Sequence, residues 1–104
     1  MLRRALLAAP LALAVRPARA AEASVTIDNF VFTPPVLTVA AGTKVTWTNR
    51  DDIPHSVVSA AQPPLFKAHV MDTDETFERV FDTKGTFPYF CGLHPHMQGT
   101  VIVT

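Results

Sequence analysis

Near its C-terminus the chain has the sequence Tyr89-Phe90-Cys91-Gly92-Leu93-His94-Pro95-His96-Met97, a strand-like run followed at once by a short loop. The loop carries a thiol, an imidazole and a thioether at the spacing Cys-x2-His-x2-Met. Sulfur ligands suit Cu(I) and imidazole also accepts Cu(II). Two histidines and one cysteine with a weak axial methionine make a blue-copper electron-transfer site. The loop therefore predicts a copper site that lacks only a second histidine.

His55 can supply the second imidazole. It follows Pro54 in a polar break after the strand-like run 44–49, and a β-sandwich can bring such a segment beside the loop at 91–97. The predicted metal ligands are therefore His55, Cys91, His94 and Met97. The alternative is that Cys91 is a buried thiol, that both histidines lie at the surface, and that Met97 fills the core.

Residues 1–20 have the composition of a secretory signal peptide. Arg3 and Arg4 form a positive n-region, residues 5–15 are apolar, and Ala18-Arg19-Ala20 is a small-residue cleavage site. The apolar run is too short to span a membrane, which takes about 20 apolar residues. We expect a cleaved signal peptide over 1–20, export to the periplasm by the Sec or the twin-arginine route, no stable membrane insertion, and a single domain over 21–104.

Charge and cysteine content exclude two classes of protein. Without residues 1–20, five basic residues face nine acidic ones, which gives a net charge of −4. A nucleic-acid-binding domain would need a basic patch, so no nucleic-acid partner is predicted. The chain has one cysteine, which excludes an intramolecular disulfide and hence a small secreted scaffold stapled by disulfides.

Apolar residues alternate with a period of two along residues 21–104, and turns rich in proline and glycine separate the alternating runs. The predicted strands are 24–27, 36–39, 45–48, 56–58, 76–81, 86–90 and 99–103. About seven short strands at this spacing favour an antiparallel β-sandwich. Residues 60–75 are predicted to be irregular, with a weak strand or helical turn near 67–71, and Trp47 is predicted to lie in the core.

These motifs resemble those of the cupredoxins in the plastocyanin, pseudoazurin and amicyanin group, and Pro95 directly after His94 is most similar to the amicyanin loop. The similarity covers residues 21–104. It implies an all-β, cupredoxin-like antiparallel Greek-key sandwich of about seven to eight strands. It also implies one type 1 copper ion per chain, with His55, Cys91 and His94 as equatorial ligands and Met97 as the axial ligand. Ser56 stands where the family usually has asparagine, and His96 where amicyanin has an aromatic residue.

Several residues near the predicted ligands have alternative roles. The Ser56 N–H is expected to donate to the Cys91 sulfur, and its hydroxyl to link the two ligand segments; the alternative is an ordinary hydroxyl at the start of a strand. His69 is expected to be solvated, and Met71 to lie in the core or at the surface. His96 is expected to point away from the metal, with an adventitious second metal site as the alternative.

Three function classes compete: a single-electron carrier, a periplasmic copper delivery or storage protein, and an enzyme. Delivery favours exposed methionine and histidine ligands, of which this chain has few. Multicopper oxidases and nitrite reductases need further copper centres and more histidines. We therefore predict a monomeric blue copper protein of the periplasm that carries single electrons and is not an enzyme.

The predicted partners are redox proteins. The resemblance to amicyanin implies a periplasmic dehydrogenase as the electron donor and a c-type cytochrome as the acceptor. An exposed apolar patch marks a transient interface. We expect such a patch around His94, and its candidate members are Pro54, Leu65, Phe66, Leu93 and Pro95.

Overall fold

The computed structural model describes residues 21–104, and the predicted signal peptide at 1–20 lies outside them. Within these residues there are eight strands and no helix, and therefore no helix that could cross a membrane. The strands are β1 (Glu22–Asp28), β2 (Val31–Thr33), β3 (Val36–Val39), β4 (Thr43–Asn49), β5 (Val58–Ser59), β6 (Thr76–Phe81), β7 (Gly85–Phe90) and β8 (Gln98–Val103).

The strands form two four-stranded sheets, ordered β2-β1-β4-β6 and β3-β8-β7-β5. The predicted all-β sandwich of about seven to eight strands is thus confirmed. Its sheets are mixed rather than purely antiparallel, because β1 runs parallel to β4 and β3 runs parallel to β8. Between β1 and β4 the chain crosses to the other sheet to form β3, and this crossover permits the parallel pairing.

Two strands differ from the predicted runs. β2 was not predicted, because it has only three residues and only its central Phe32 is buried. The strand predicted at 56–58 is β5, which covers two residues. Residues 60–75 contain no strand and only two isolated bridges, as the prediction of an irregular stretch requires.

Trp47 lies at the centre of the core, as predicted, and is fully buried. Its ring contacts Tyr89 of the opposite sheet at a centroid distance of 5.3 Å, and also Phe66, Phe77 and Phe81. Tyr89 lies opposite Gly99 in the β7–β8 ladder, and a Cβ at that glycine would collide with the Tyr89 ring. The core thus needs glycine at position 99 to accommodate its one tyrosine.

Three connections come together at one end of the sandwich. They are the turn between β1 and β2, the segment that follows β4, and the loop between β7 and β8. The N–H of Phe30 in the first connection donates to Asp51 in the second, and the N–H of Ser56 donates to the sulfur of Cys91 in the third. The sandwich therefore places residues from three distant parts of the sequence around one point.

Candidate metal centre

Three potential metal-binding side chains meet at this end of the sandwich. One ligand atom each from His55, Cys91 and His94 lies within 4.8 Å of the other two. The Cys91 sulfur is 3.6 Å from Nδ1 of His55 and 3.8 Å from Nδ1 of His94. His55 and Cys91 are fully buried, whereas His94 is partly exposed. The structure thus brings together three of the four predicted ligands with their donor atoms facing one another.

These distances fit a shared metal ion. For a metal such as zinc, bonds of about 2.3 Å to sulfur and about 2.0 Å to nitrogen that meet at about 110–120° place the two atoms about 3.5–3.8 Å apart. Both measured sulfur-to-nitrogen distances are close to this range. A thiolate with two imidazoles is a donor set that suits copper in both of its common oxidation states.

His55 is held on two sides. Its backbone forms an isolated bridge with Met71, in which each N–H donates to the carbonyl of the other residue, at 3.1 and 2.8 Å. Its ring Nε2 lies 2.9 Å from Oδ2 of Asp51. Because an ionised carboxylate only accepts hydrogen bonds, Nε2 carries the proton and the lone pair of Nδ1 faces Cys91.

Asp51 contacts the ring of His55, although no motif in the sequence indicates it. Its carboxylate is nearly buried and accepts hydrogen bonds from the His55 ring and from the N–H groups of Phe30 and Asp52. The hydrogen bond from His55 lowers the pKa of the Asp51 carboxyl, against the opposing effect of burial, and the two N–H donors lower it further. Its position four residues before a predicted ligand, in a short polar segment, was the available indication.

A buried asparagine shapes the segment that carries His55. The Asn49 side chain donates to the carbonyls of Ile53 and Met71, at 2.9 and 3.0 Å, and accepts the N–H of Asp51 at 2.9 Å. Two of these bonds lie within residues 49–53, and the third reaches Met71, whose carbonyl also accepts the His55 N–H. The segment from 50 to 55 is therefore fixed by its own contacts and by Met71.

The Cys91 sulfur has the hydrogen-bond partner that the sequence predicted. The Ser56 N–H lies 3.5 Å from the sulfur, and the Gly92 N–H donates to the Ser56 hydroxyl at 3.0 Å. A Cβ at Gly92 would come within 2.8 Å of that hydroxyl, so glycine allows the close approach of the two segments. The predicted link between the two ligand segments is confirmed.

The loop at 91–97 is closed by its own backbone. The Cys91 N–H donates to the Met97 carbonyl, the Met97 N–H to the His94 carbonyl, and the His94 N–H to the Cys91 carbonyl, at 2.9–3.2 Å. Met97 is buried at the end of this loop, next to the start of β8. Leu93, at the tip, is 45% exposed.

Phe30 contacts both histidines, although no motif in the sequence indicates it. Its ring centroid lies 5.1 Å from that of His94 and 5.6 Å from that of His55, in edge-to-face geometry. The ring remains 44% exposed on its other side. Asn29-Phe30 occupies a two-residue hairpin loop, a position at which Asn-Gly is the common sequence. The three residues of β2 that follow this loop were too few to indicate the hairpin.

The two other histidines and Met71 lie outside the group of three donors. His96 is exposed and its ring is 6.5 Å from that of His94, outside the group of three donors. His69 is exposed, as predicted, and Met71 belongs to the core.

The predicted apolar patch needs correction at two positions. Pro54, Leu93 and Pro95 are exposed. Phe66, however, is buried against Trp47 in the core. Leu65 is exposed but lines a cavity with residues of β6 and of the turn to β7, including Asp82 and Thr83. Neither residue therefore belongs to a surface around His94.

The family model for the cupredoxin-like domain matches residues 3–103. The chain belongs to the cupredoxin-like family. Among its relatives is amicyanin-alpha of Methylorubrum extorquens, 35% identical over 86% of this chain and 78% of the relative. The chloroplastic plastocyanin of Tetradesmus obliquus is 36% identical over 83% of this chain and 68% of the relative.

A solved structure gives the same fold. This cupredoxin superposes on a Cu(I) form of an amicyanin variant with a TM-score of 0.75, at 33% identity, over 84% of this chain and 85% of the other. The predicted family and the predicted cupredoxin-like sandwich are therefore confirmed. The family and the arrangement of His55, Cys91 and His94 together also confirm copper as the predicted cofactor.

Proposed function

We propose that this cupredoxin is a periplasmic carrier of single electrons that binds one copper ion through His55, Cys91, His94 and Met97. The observation that carries the proposal is the convergence of Cys91 Sγ with Nδ1 of His55 and of His94 at one end of the sandwich. Copper would supply the one-electron chemistry, between Cu(II) and Cu(I). Met97, buried at the other end of the ligand loop, is proposed as the axial ligand.

The protein's own residues suit this chemistry. Asp51 fixes the orientation of His55, and the Ser56 N–H donates to the Cys91 sulfur, so both groups support the donor atoms. Two of the donors are fully buried, which keeps water away. His94 is the donor that reaches the surface, between exposed Leu93 and Pro95, and it provides a short path for an electron to leave.

Copper delivery fits the structure less well than electron transfer. A delivery site presents exposed soft ligands to its partner, whereas Met71 and Met97 are both buried among the described residues.

We also propose that this cupredoxin is not an enzyme and that it acts as a monomer. Its proposed partners are redox proteins that dock in turn at the His94 end, with a periplasmic dehydrogenase as donor and a c-type cytochrome as acceptor. The signal-like residues 1–20 support the periplasmic location.

Addition of Cu(II) to the purified protein tests this function. We expect one equivalent to produce intense visible absorption from thiolate-to-copper charge transfer, and reduction to Cu(I) to bleach it reversibly. Zinc, which can occupy the same donors without colour, should delay the band when added first but not abolish it, because Cu(II) binds such donors more tightly than zinc. A colourless Cu(II) complex would contradict the proposal.

A further inference from the structure

The turn between β1 and β2 holds an aromatic residue in a backbone conformation that aromatic residues avoid. β1 and β2 pair with Asp28 opposite Val31, so Asn29 and Phe30 alone form the loop. Their φ angles are +52° and +61°. A two-residue hairpin loop with both φ angles positive is typical of type I′ turns, in which Asn-Gly is preferred. Asparagine tolerates this conformation, but the second position has phenylalanine where glycine is expected.

This conformation destabilises the fold. A left-handed residue other than glycine lowers the folding equilibrium constant by a factor of about 5–30. Backbone strain of this kind persists only where the surrounding structure holds it, and it is concentrated at functional sites. Here the Phe30 N–H donates to Oδ2 of Asp51 at 3.2 Å, on the same oxygen that contacts the ring of His55. The strained residue is thus held by the group that orients a proposed ligand.

The Phe30 ring completes a triangle of rings. The centroids of Phe30, His55 and His94 are separated by 5.1, 5.2 and 5.6 Å, so each ring contacts the other two. His55 has strong support from Asp51 and Met71, whereas His94 lies on the loop at 91–97 and is partly exposed. The contact with Phe30 is therefore a substantial restraint on the His94 ring from outside its own loop.

We propose that Phe30 is a positioning residue of the metal centre, whose ring holds the imidazole of His94 beside that of His55 and closes the approach between them to small ligands in solution. The proposal rests on the proposed function, since copper must bind at these histidines. It explains why the turn keeps phenylalanine at a position that favours glycine. A glycine would relax the backbone but leave the two imidazoles uncovered.

Imidazole in solution is a direct probe of this role. The Cu(II) proteins of the wild type, of Phe30→Gly and of Asn29→Gly are titrated with imidazole while the visible band and the electron paramagnetic resonance spectrum are recorded. Asn29→Gly is the matched control, because it relaxes the same turn and keeps the ring. We expect Phe30→Gly to lose its band at an imidazole concentration at least tenfold lower than the other two proteins.

The outcomes separate this inference from the proposed function. A wild-type protein without an intense band contradicts the proposed function before any imidazole is added. A Phe30→Gly protein that has the wild-type band and the wild-type resistance to imidazole contradicts only the role of Phe30. Should Phe30→Gly not fold, Phe30→Asn takes its place, because asparagine accepts a positive φ and also removes the aromatic ring.

The strain is tested in the metal-free protein. Phe30→Ala removes the ring and keeps a Cβ in the strained conformation, whereas Phe30→Gly removes both. Urea denaturation should therefore give the glycine variant a folding equilibrium constant several times that of the alanine variant, although glycine has more freedom in the unfolded chain. A glycine variant less stable than the alanine variant, as at an unstrained position, would overturn the argument that phenylalanine is kept there for its ring.

Discussion

The two segments that carry the proposed ligands are held in different ways. One carries His55, and the other is the loop with Cys91, His94 and Met97. The His55 ring and backbone are fixed by Asp51 and Met71, and the segment around them by Asn49. The loop at 91–97 is closed mainly by its own backbone, and its tip, with Leu93 and the partly exposed His94, faces solvent. The His55 side of the metal centre is therefore rigid and buried, and the side formed by the loop at 91–97 is in contact with solvent.

This difference suits a protein that exchanges electrons without exchanging its metal. A fixed histidine and a buried cysteine can keep the ligand geometry nearly constant, which favours rapid electron transfer. An accessible histidine brings the centre close to a docked partner. The two regions therefore have separate roles, and substitutions in each should change different measurable properties.

The largest effect is expected for Cys91→Ser. The thiolate supplies the strong equatorial bond and the charge-transfer band, so the variant should lose the intense visible absorption and most of its copper affinity. The sandwich should still fold, with the circular dichroism of a β protein. His96→Ala, an exposed change in the same loop, is the control and should retain the band. An intense band in Cys91→Ser would contradict the assigned ligand.

Met97→Leu should keep copper bound and raise the reduction potential. Loss of an axial donor disfavours Cu(II), which has the richer coordination, more than Cu(I). Met71→Leu is the matched control, because Met71 is equally buried and has no proposed ligand role. Voltammetry of both variants gives the comparison. An equal shift in the two variants, or a fall in the potential of Met97→Leu, would contradict an axial role for Met97.

Asp51→Asn tests the fixed side of the centre. The variant keeps an oxygen that can accept the His55 proton but loses a negative charge that favours Cu(II). We expect the Cu(I) form to gain about tenfold in relative stability, which is about 59 mV for one electron. Asp52→Asn removes the same charge from the exposed neighbouring residue and should shift the potential much less. Identical potentials for the two variants would show that the contact with His55 has no effect on copper.

Leu93→Lys tests the exposed side and should have the smallest effect. A charge at the tip of the loop should hinder docking at His94 and slow electron self-exchange between copies of the protein several-fold, an effect of about 1 kcal/mol. Spectrum and potential should change little. Leu65→Lys is the control, because Leu65 is 53% exposed but lies near the turn between β6 and β7. If both variants slow exchange equally, net charge rather than the loop surface governs docking.

Much of the fold could be predicted from the sequence, because alternation of apolar residues is a local property. It indicated six of the eight strands, overlapped β5 only at Val58, and missed β2, which is too short to show a period. The parallel pairs could not be predicted, because the direction of neighbouring strands depends on how the chain crosses between sheets. The pattern at Cys91, His94 and Met97 indicated the metal centre, because three donors lie on one short loop.

The supporting residues were harder to predict, because they come from other parts of the sequence. Asp51 and Phe30 carry no motif of their own, and only the fold places them against His55. The opposite error was made for Leu65 and Phe66, which were predicted to lie around His94 but do not. Both are apolar residues in an irregular segment, and the sequence could not show that Phe66 turns into the core while Leu65 lies beside β6.

The most direct test of this account is proton exchange at the two histidine rings of the Cu(I) protein. A long-range ¹H–¹⁵N spectrum recorded after transfer to D2O observes both rings in this diamagnetic state. We expect Nδ1 of His55 and of His94 both to show the shift of a metal-bound nitrogen. We also expect the Nε2 proton of His55, held by Asp51, to survive long after that of His94 has exchanged. Equal exchange at both rings, or a metal-free shift at His55, would contradict the division between a fixed and an open side.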